Sequence, residues 1–266
     1  MAITNVVARE DDNGYFKLYN WLEYYTRPWS RRKVGVIEYC YYPTYPFNIF
    51  EAQKANNFIT KLVEKFEIKV NKVEYYIAEN CDEIMRLKGF DYEIGMGDHI
   101  TNLCGFCDRL NNIIYANAKG GEYYQHELVR LINNFFPKAH GMFINGLSEY
   151  FNESRTQLGL PFIEIFRRMD EYLLKNPDQD LCDIQSPFYT MDNVIAPHYM
   201  VGMIVCQLVI EKGGIKLLKK GMNCTGTDND FLNFINDELE MTKTQLNSIL
   251  RGRIHQYSSE EFPSPS

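Results

Sequence analysis

His126 and Glu127 are adjacent, and Glu149 follows in the phrase Gly146-Leu147-Ser148-Glu149-Tyr150-Phe151. These are residue types that hold and use a metal ion. On a helix, a His and a second ligand four residues later point from one face to the same ion, and the Glu beside the first ligand takes a proton from metal-bound water. A zinc ion held this way lowers the pKa of its water from about 15.7 to about 7, which makes a nucleophile at neutral pH. The chemistry would be hydrolysis.

The residue four positions after His126 is Arg130. A guanidinium stays protonated and has five donors but no lone pair, so Arg130 cannot be a ligand. Its charge, about 6 Å along the helix axis from His126, also opposes a dication in a low-dielectric setting. The same cation suits carboxylates, and Arg130 is expected to pair with Glu149 or Glu127 in place of an ion. Substitute ligands are His140, between the two expected helices, and His198, beside Tyr199.

Other chemical groupings are weaker. Cys104-Gly105-Phe106-Cys107 is a single CxxC with no second pair at a structural-zinc spacing, although His99 lies near it. Gly120-Gly121 and Gly213-Gly214 lack the strand-to-helix phosphate fingerprint and read as turns and helix stops. The nineteen tyrosines are expected to pack and to line a cleft.

The elements that must position these groups follow from periodicity. Residues 1–32 form an aromatic-rich segment in which Pro28 ends a short helix. Lys33 to Tyr42 alternates with β-branched and aromatic residues and predicts a strand, as does Ile68 to Ile77. Phe50 to Phe66 has apolar residues at three- and four-residue steps and predicts an amphipathic helix. A short helix over Cys81 to Lys88 stops at Gly89, and Asn112 to Ala118 reads as an apolar strand. Beyond Gly121 the pattern is helical, over Glu122–Phe136, Met142–Asn152, Pro161–Leu174, Pro197–Lys212, Ile215–Gly221, Asp228–Leu239 and Thr242–Arg253. The expected class is α+β: a small mixed sheet with helices, then a mainly helical half. The expected division is 1–32, a domain over 33–254, and a polar, Pro/Ser-rich tail over 255–266.

With Arg130 set aside, the spacing from His126 to Glu149 is that of HExxH-x18-E. On this phrase, on NNIIYANAKGGEYYQHEL (111–128) and on HYMVGMIVCQLVIEKGGIKLLKKG (198–221), the chain resembles the gluzincin zinc metallopeptidases of the peptidase MA-like group over about residues 33 to 253. The resemblance implies a zincin-like fold with a cleft between the two halves and the His126 helix at its floor. It implies zinc, if any cofactor, on His126 and Glu149, with Glu127 as general base and Tyr199 as oxyanion donor. With Arg130 at the second ligand position it implies a non-catalytic or strongly impaired member, holding a peptide or protein in the cleft against an edge strand near Ile113 to Ala118. The alternative it leaves open is an active zinc peptide hydrolase whose third ligand is His140 or His198.

Composition bounds these readings. A chain of 266 residues with 45% hydrophobic residues can bury a full core without disulfides. A formal charge of −7, with no concentrated run of Lys and Arg, argues against nucleic acid as partner. The longest apolar run, Tyr199 to Ile210, falls short of the roughly 20 residues a membrane span needs. The start has no basic region followed by an apolar one, and the seven scattered cysteines read as mostly reduced thiols, which together point to the cytoplasm.

Overall fold

The computed structural model describes residues 2–94, 96–97, 103–152, 160–183, 185–191 and 197–260. His99, the second half of the expected tail (261–266) and residues 192–196 lie outside them. The chain divides into two compact units, Met1–Lys61 with Lys69–Leu128, and Leu62–Ile68 with Val129–Ser266. The first is α+β and the second helical, which is the expected class.

The chain up to residue 128 contains, in chain order, β1 (Ala2–Thr4), β2 (Val7–Glu10), β3 (Phe16–Tyr19), α1 (Trp21–Tyr25), β4 (Ser30–Val34), β5 (Ile37–Tyr41), α2 (Ile49–Phe66, its last turn assigned to the second unit), β6 (Val73–Ala78), α3 (Cys81–Leu87), β7 (Phe90–Glu93), β8 (Gly105–Asp108) and β9 (Ile113–Asn117). β1 pairs with β7, and β2 with β3, as small antiparallel ribbons. The main sheet has the order β4-β5-β6-β9-β8. β5, β6 and β9 run parallel, and antiparallel strands close both ends.

The single strand expected over Lys33 to Tyr42 is a hairpin. Gly35 turns the chain at φ +58°, and the Asn56 side chain of α2 occupies the place a Cβ would take there. Asn56 Oδ1 accepts the Val36 N–H at 3.0 Å, so the missing side chain becomes a tie between turn and helix. β9 is not an edge strand, as had been expected of Ile113 to Ala118. It pairs on both sides, with β6 and with β8, and its apolar sequence fits a strand buried on both faces. The strand at that end of the sheet is β8.

Cys81 and Cys104 form a disulfide. Cys104 is therefore not paired with Cys107 two positions after Gly105, and Cys107 is buried and outside any disulfide, like Cys40, Cys182 and Cys206. Five cysteines are outside any disulfide, but the bond removes part of the ground for a cytoplasmic reading.

α4 (Gln125–Arg130) carries the His-Glu pair and is followed by a 3-10 turn over Leu131–Phe135, so the expected helix over Glu122–Phe136 starts later and tightens earlier. The second unit then holds α5 (Gly141–Tyr150), α6 (Phe162–Lys175), α7 (Pro197–Cys224), α8 (Asp228–Leu239) and α9 (Lys243–Tyr257). α9 runs through Tyr257, so the tail does not begin at residue 255. α7 joins two expected helices across a break at Gly213 and Gly214, the latter at φ +65°. α5 and α7 cross where Gly146 meets Gly202: a Cβ on Gly146 would overlap the Gly202 backbone. No described helix is long and apolar enough to cross a membrane.

Candidate functional site

The His-Glu pair is set by tyrosines of the sheet. Alternation along β5, β6 and β9 puts Ile37, Tyr39, Val73, Tyr75, Ile77, Ile114 and Ala116 on one face, each essentially sealed from water. From that face the Tyr75 hydroxyl donates to the Gly121 carbonyl at 2.7 Å and accepts the Tyr124 N–H at 3.2 Å. The Tyr39 hydroxyl donates to the Glu122 carbonyl at 3.1 Å. The Glu122 carboxylate, also buried, accepts the Tyr45 hydroxyl at 3.0 Å and the Asn48 N–H, which ties the start of α2 to the same turn. Burial raises the Tyr39 and Tyr75 hydroxyls well above the usual phenol range, so both stay protonated donors.

Gly121 bends the chain at φ +60°, and α4 begins four residues later. His126 is fully buried and Glu127 is 1% exposed. The His126 ring lies 6.3 Å from that of Tyr124. β8 passes directly by the helix start: a Cβ on Gly105 would overlap the Tyr124 ring and stand 2.9 Å from Glu127 Cγ. The end strand of the sheet thus runs beside the candidate general base because one residue lacks a side chain. None of Tyr75, Glu122 and Gly105 stands out in the sequence. The only signal was the clustering of tyrosines, expected to serve packing and lining, of which several instead orient the turn before α4.

Arg130 is the last residue of α4 and half-buried, one helical turn from His126. The remaining candidates belong to the second unit. Glu149, on α5, is 1% exposed, and Asn152 Nδ2 donates to its Oε2 at 3.4 Å. His198 and Tyr199 open α7 with their rings 4.4 Å apart. Burial pulls the His198 imidazole below its usual pKa, and the charge of Glu149 pushes the other way, so these two residues feel each other. His140 has a different position. Its Nδ1 accepts the Met142 N–H at 3.3 Å as the cap of α5, its Nε2 meets Asp228 Oδ1 at 2.8 Å, and its ring stacks on Phe231. With both nitrogens engaged it has no lone pair to offer a metal.

The donors of the motif itself, His126 and Glu149, fall one short of a catalytic zinc site. Three lone-pair donors are required, and the second position of the motif holds a cation with none. Among the described residues no group of three or more His, Cys, Asp or Glu side chains is arranged to hold a metal ion. No protein-family model matches the chain, and no curated protein matches it.

Proposed function

We propose that the chain is a gluzincin-like protein with a zincin-like fold whose hydrolytic site is degenerate, and that it binds a peptide or protein segment. The observation that carries this reading is Arg130, one turn from a buried His-Glu pair, where a second imidazole would complete a zinc site. A guanidinium there supplies the positive charge that buried carboxylates need and none of the Lewis acidity that water activation needs. Support for the binding half comes from β8. It ends the sheet, is antiparallel to β9, and passes Glu127 at Gly105, so an extended peptide could add to it as a further strand. This replaces Ile113–Ala118, an interior strand, as the docking edge.

A second reading is favoured by the coupling of His198 to Glu149: a zinc hydrolase with His198 as replacement ligand, Glu127 as base and Tyr199 as oxyanion donor. Elemental analysis of protein purified without chelators separates the two. The degenerate reading expects no zinc after incubation with excess metal, and about one zinc per chain in Arg130→His that is lost again in Arg130→His/Glu149→Ala. One zinc per wild-type chain, lost in His198→Ala, would establish the hydrolase instead.

A further inference from the structure

The opposite face of the main sheet carries a site that the His-Glu region does not involve. Register places Tyr76, Tyr115 and Phe106 side by side on β6, β9 and β8, with Arg31 on the same rung two strands away. The Tyr76 and Tyr115 rings are stacked at 5.7 Å, and Phe106 lies 6.2 Å from Tyr115. The next rung is Glu74, Ile113 and Asp108. α1 and α3 cover only part of this face, through Leu22, Ile84 and Leu87. Over the rest lies a cavity of about 590 Å³, with Trp21 and Lys88 in its wall, within the range of small-molecule sites.

The charges in this cavity are unequally matched. Glu74 is paired with Lys72 at 3.0 Å and accepts the Tyr76 hydroxyl at 3.0 Å. Asp108 accepts the Leu110 N–H at 3.1 Å and Asn111 Nδ2 at 2.8 Å, and Glu23 accepts the Tyr19 hydroxyl at 2.6 Å. Each acid has hydrogen-bond donors, and Glu74 has a cation among them. The two cations have neutral partners: Arg31 donates to the Thr26 hydroxyl at 3.2 Å, and Lys88 Nζ stands 4.0 Å from the centre of the Phe106 ring. Among the described residues no ion pair holds either one. Burial pulls the Lys88 ammonium below its usual pKa, and the more distant charges of Asp108 and Glu93 oppose that shift without reversing it.

We propose that this cavity binds a small organic acid carrying an apolar ring, its carboxylate or phosphate on Lys88 and its ring against the Tyr76–Tyr115–Ile113 floor. An anion there would turn a cation–π contact into a charge-assisted hydrogen bond, while the ring would fill a space whose floor is aromatic. Arg31, at the far end of the aromatic rung, favours ligands with a second acidic group.

The test is calorimetric titration with phenyl phosphate and with benzoate, using benzyl alcohol as the neutral ring and inorganic phosphate as the ringless anion. Trp21 fluorescence gives a second readout from the cavity wall. Saturable binding of one phenyl phosphate or benzoate per chain is expected, tighter than both controls. It should weaken about tenfold in Lys88→Met, the loss expected for one hydrogen bond to a charged group, and be largely retained in Lys88→Arg. Stronger binding of phenyl phosphate than of benzoate would assign phosphate esters, and the reverse would assign carboxylates. Absence of saturable binding by either acid at millimolar concentration, affinity no better than benzyl alcohol or inorganic phosphate, or unchanged affinity in a folded Lys88→Met overturns the proposal. The comparison of charged and neutral rings on the wild-type protein decides the matter even if the variant does not fold.

Discussion

The two faces of the main sheet use the same residue type for opposite ends. On one face Tyr39 and Tyr75 are sealed from water, and each hydroxyl is spent on the turn that launches α4. On the other, Tyr76 and Tyr115 form an aromatic floor beneath a cavity with Lys88 and Arg31 at its margins. A face whose polar atoms are all bonded to backbone fixes geometry. A face whose cations form no ion pair among the described residues keeps binding energy in reserve. A tyrosine in a strand therefore says little until the partner of its hydroxyl is known.

The largest expected effect breaks the first face. Tyr75→Ala removes a fully buried ring and should cost about 3–5 kcal/mol by the usual cavity penalty. Tyr75→Phe keeps the ring but deprives the Tyr124 N–H and the Gly121 carbonyl of their shared partner, at about 1–3 kcal/mol. Urea denaturation measures both. Hydrogen exchange should show Tyr75→Phe opening the first turn of α4 ahead of the rest of the unit. A Tyr75→Phe protein within about 0.5 kcal/mol of wild type would show that packing, not the hydroxyl, holds the turn.

Next in size is Gly105→Ala. The new Cβ meets the Tyr124 ring and Glu127 Cγ, and Tyr124 is tied back through its own N–H, so the ring cannot simply withdraw. Overpacking of this kind costs about 1–3 kcal/mol. Because Gly105 faces the His-Glu side, its replacement should leave the affinity for phenyl phosphate unchanged. A parallel loss of that affinity would mean the two faces are coupled through β8 and do not act separately.

The elements legible in the sequence were those with a long or one-sided period. α2 and α8 lie within a residue of expectation because a single apolar stripe meets a clear cap or turn. The β4–β5 hairpin was hidden because its turn, Val34-Gly35-Val36, is apolar apart from its glycine, and only the positive φ at Gly35 betrays it. β8 is four residues long with alternating exposure, too short for periodicity to register, and that is why the sheet's end was assigned to β9. At the site, His126, Glu127, Arg130 and Glu149 were readable as types at a spacing. What orients the first two was not, since Tyr75 and Glu122 act across long stretches of chain. The cavity on the second face had no sequence signature, because Arg31, Tyr76 and Tyr115 come from three separate strands and Lys88 from the turn after α3.

The smallest effect sharpens the contrast through pH. Burial depresses the folded-state pKa of Lys88 below 10.5, its ordinary value, with Asp108 and Glu93 opposing the shift. Below that depressed pKa both folded and unfolded chains hold the proton, and the folded state bears the cost of a poorly solvated ammonium. As pH rises through the folded pKa toward 10.5 the folded chain releases the proton first, so this group's contribution to stability improves with pH. Lys88→Met removes the cost at every pH. The variant should therefore melt at or slightly above wild type near pH 7, and its advantage should shrink as pH rises toward 10.5 and wild-type Lys88 gives up its proton. Adding phenyl phosphate at pH 7 should reverse the order, because only the wild type gains an ion pair on binding. Parallel melting curves from pH 7 to 10, unmoved by phenyl phosphate, would place Lys88 in solvent and make the second face an ordinary surface.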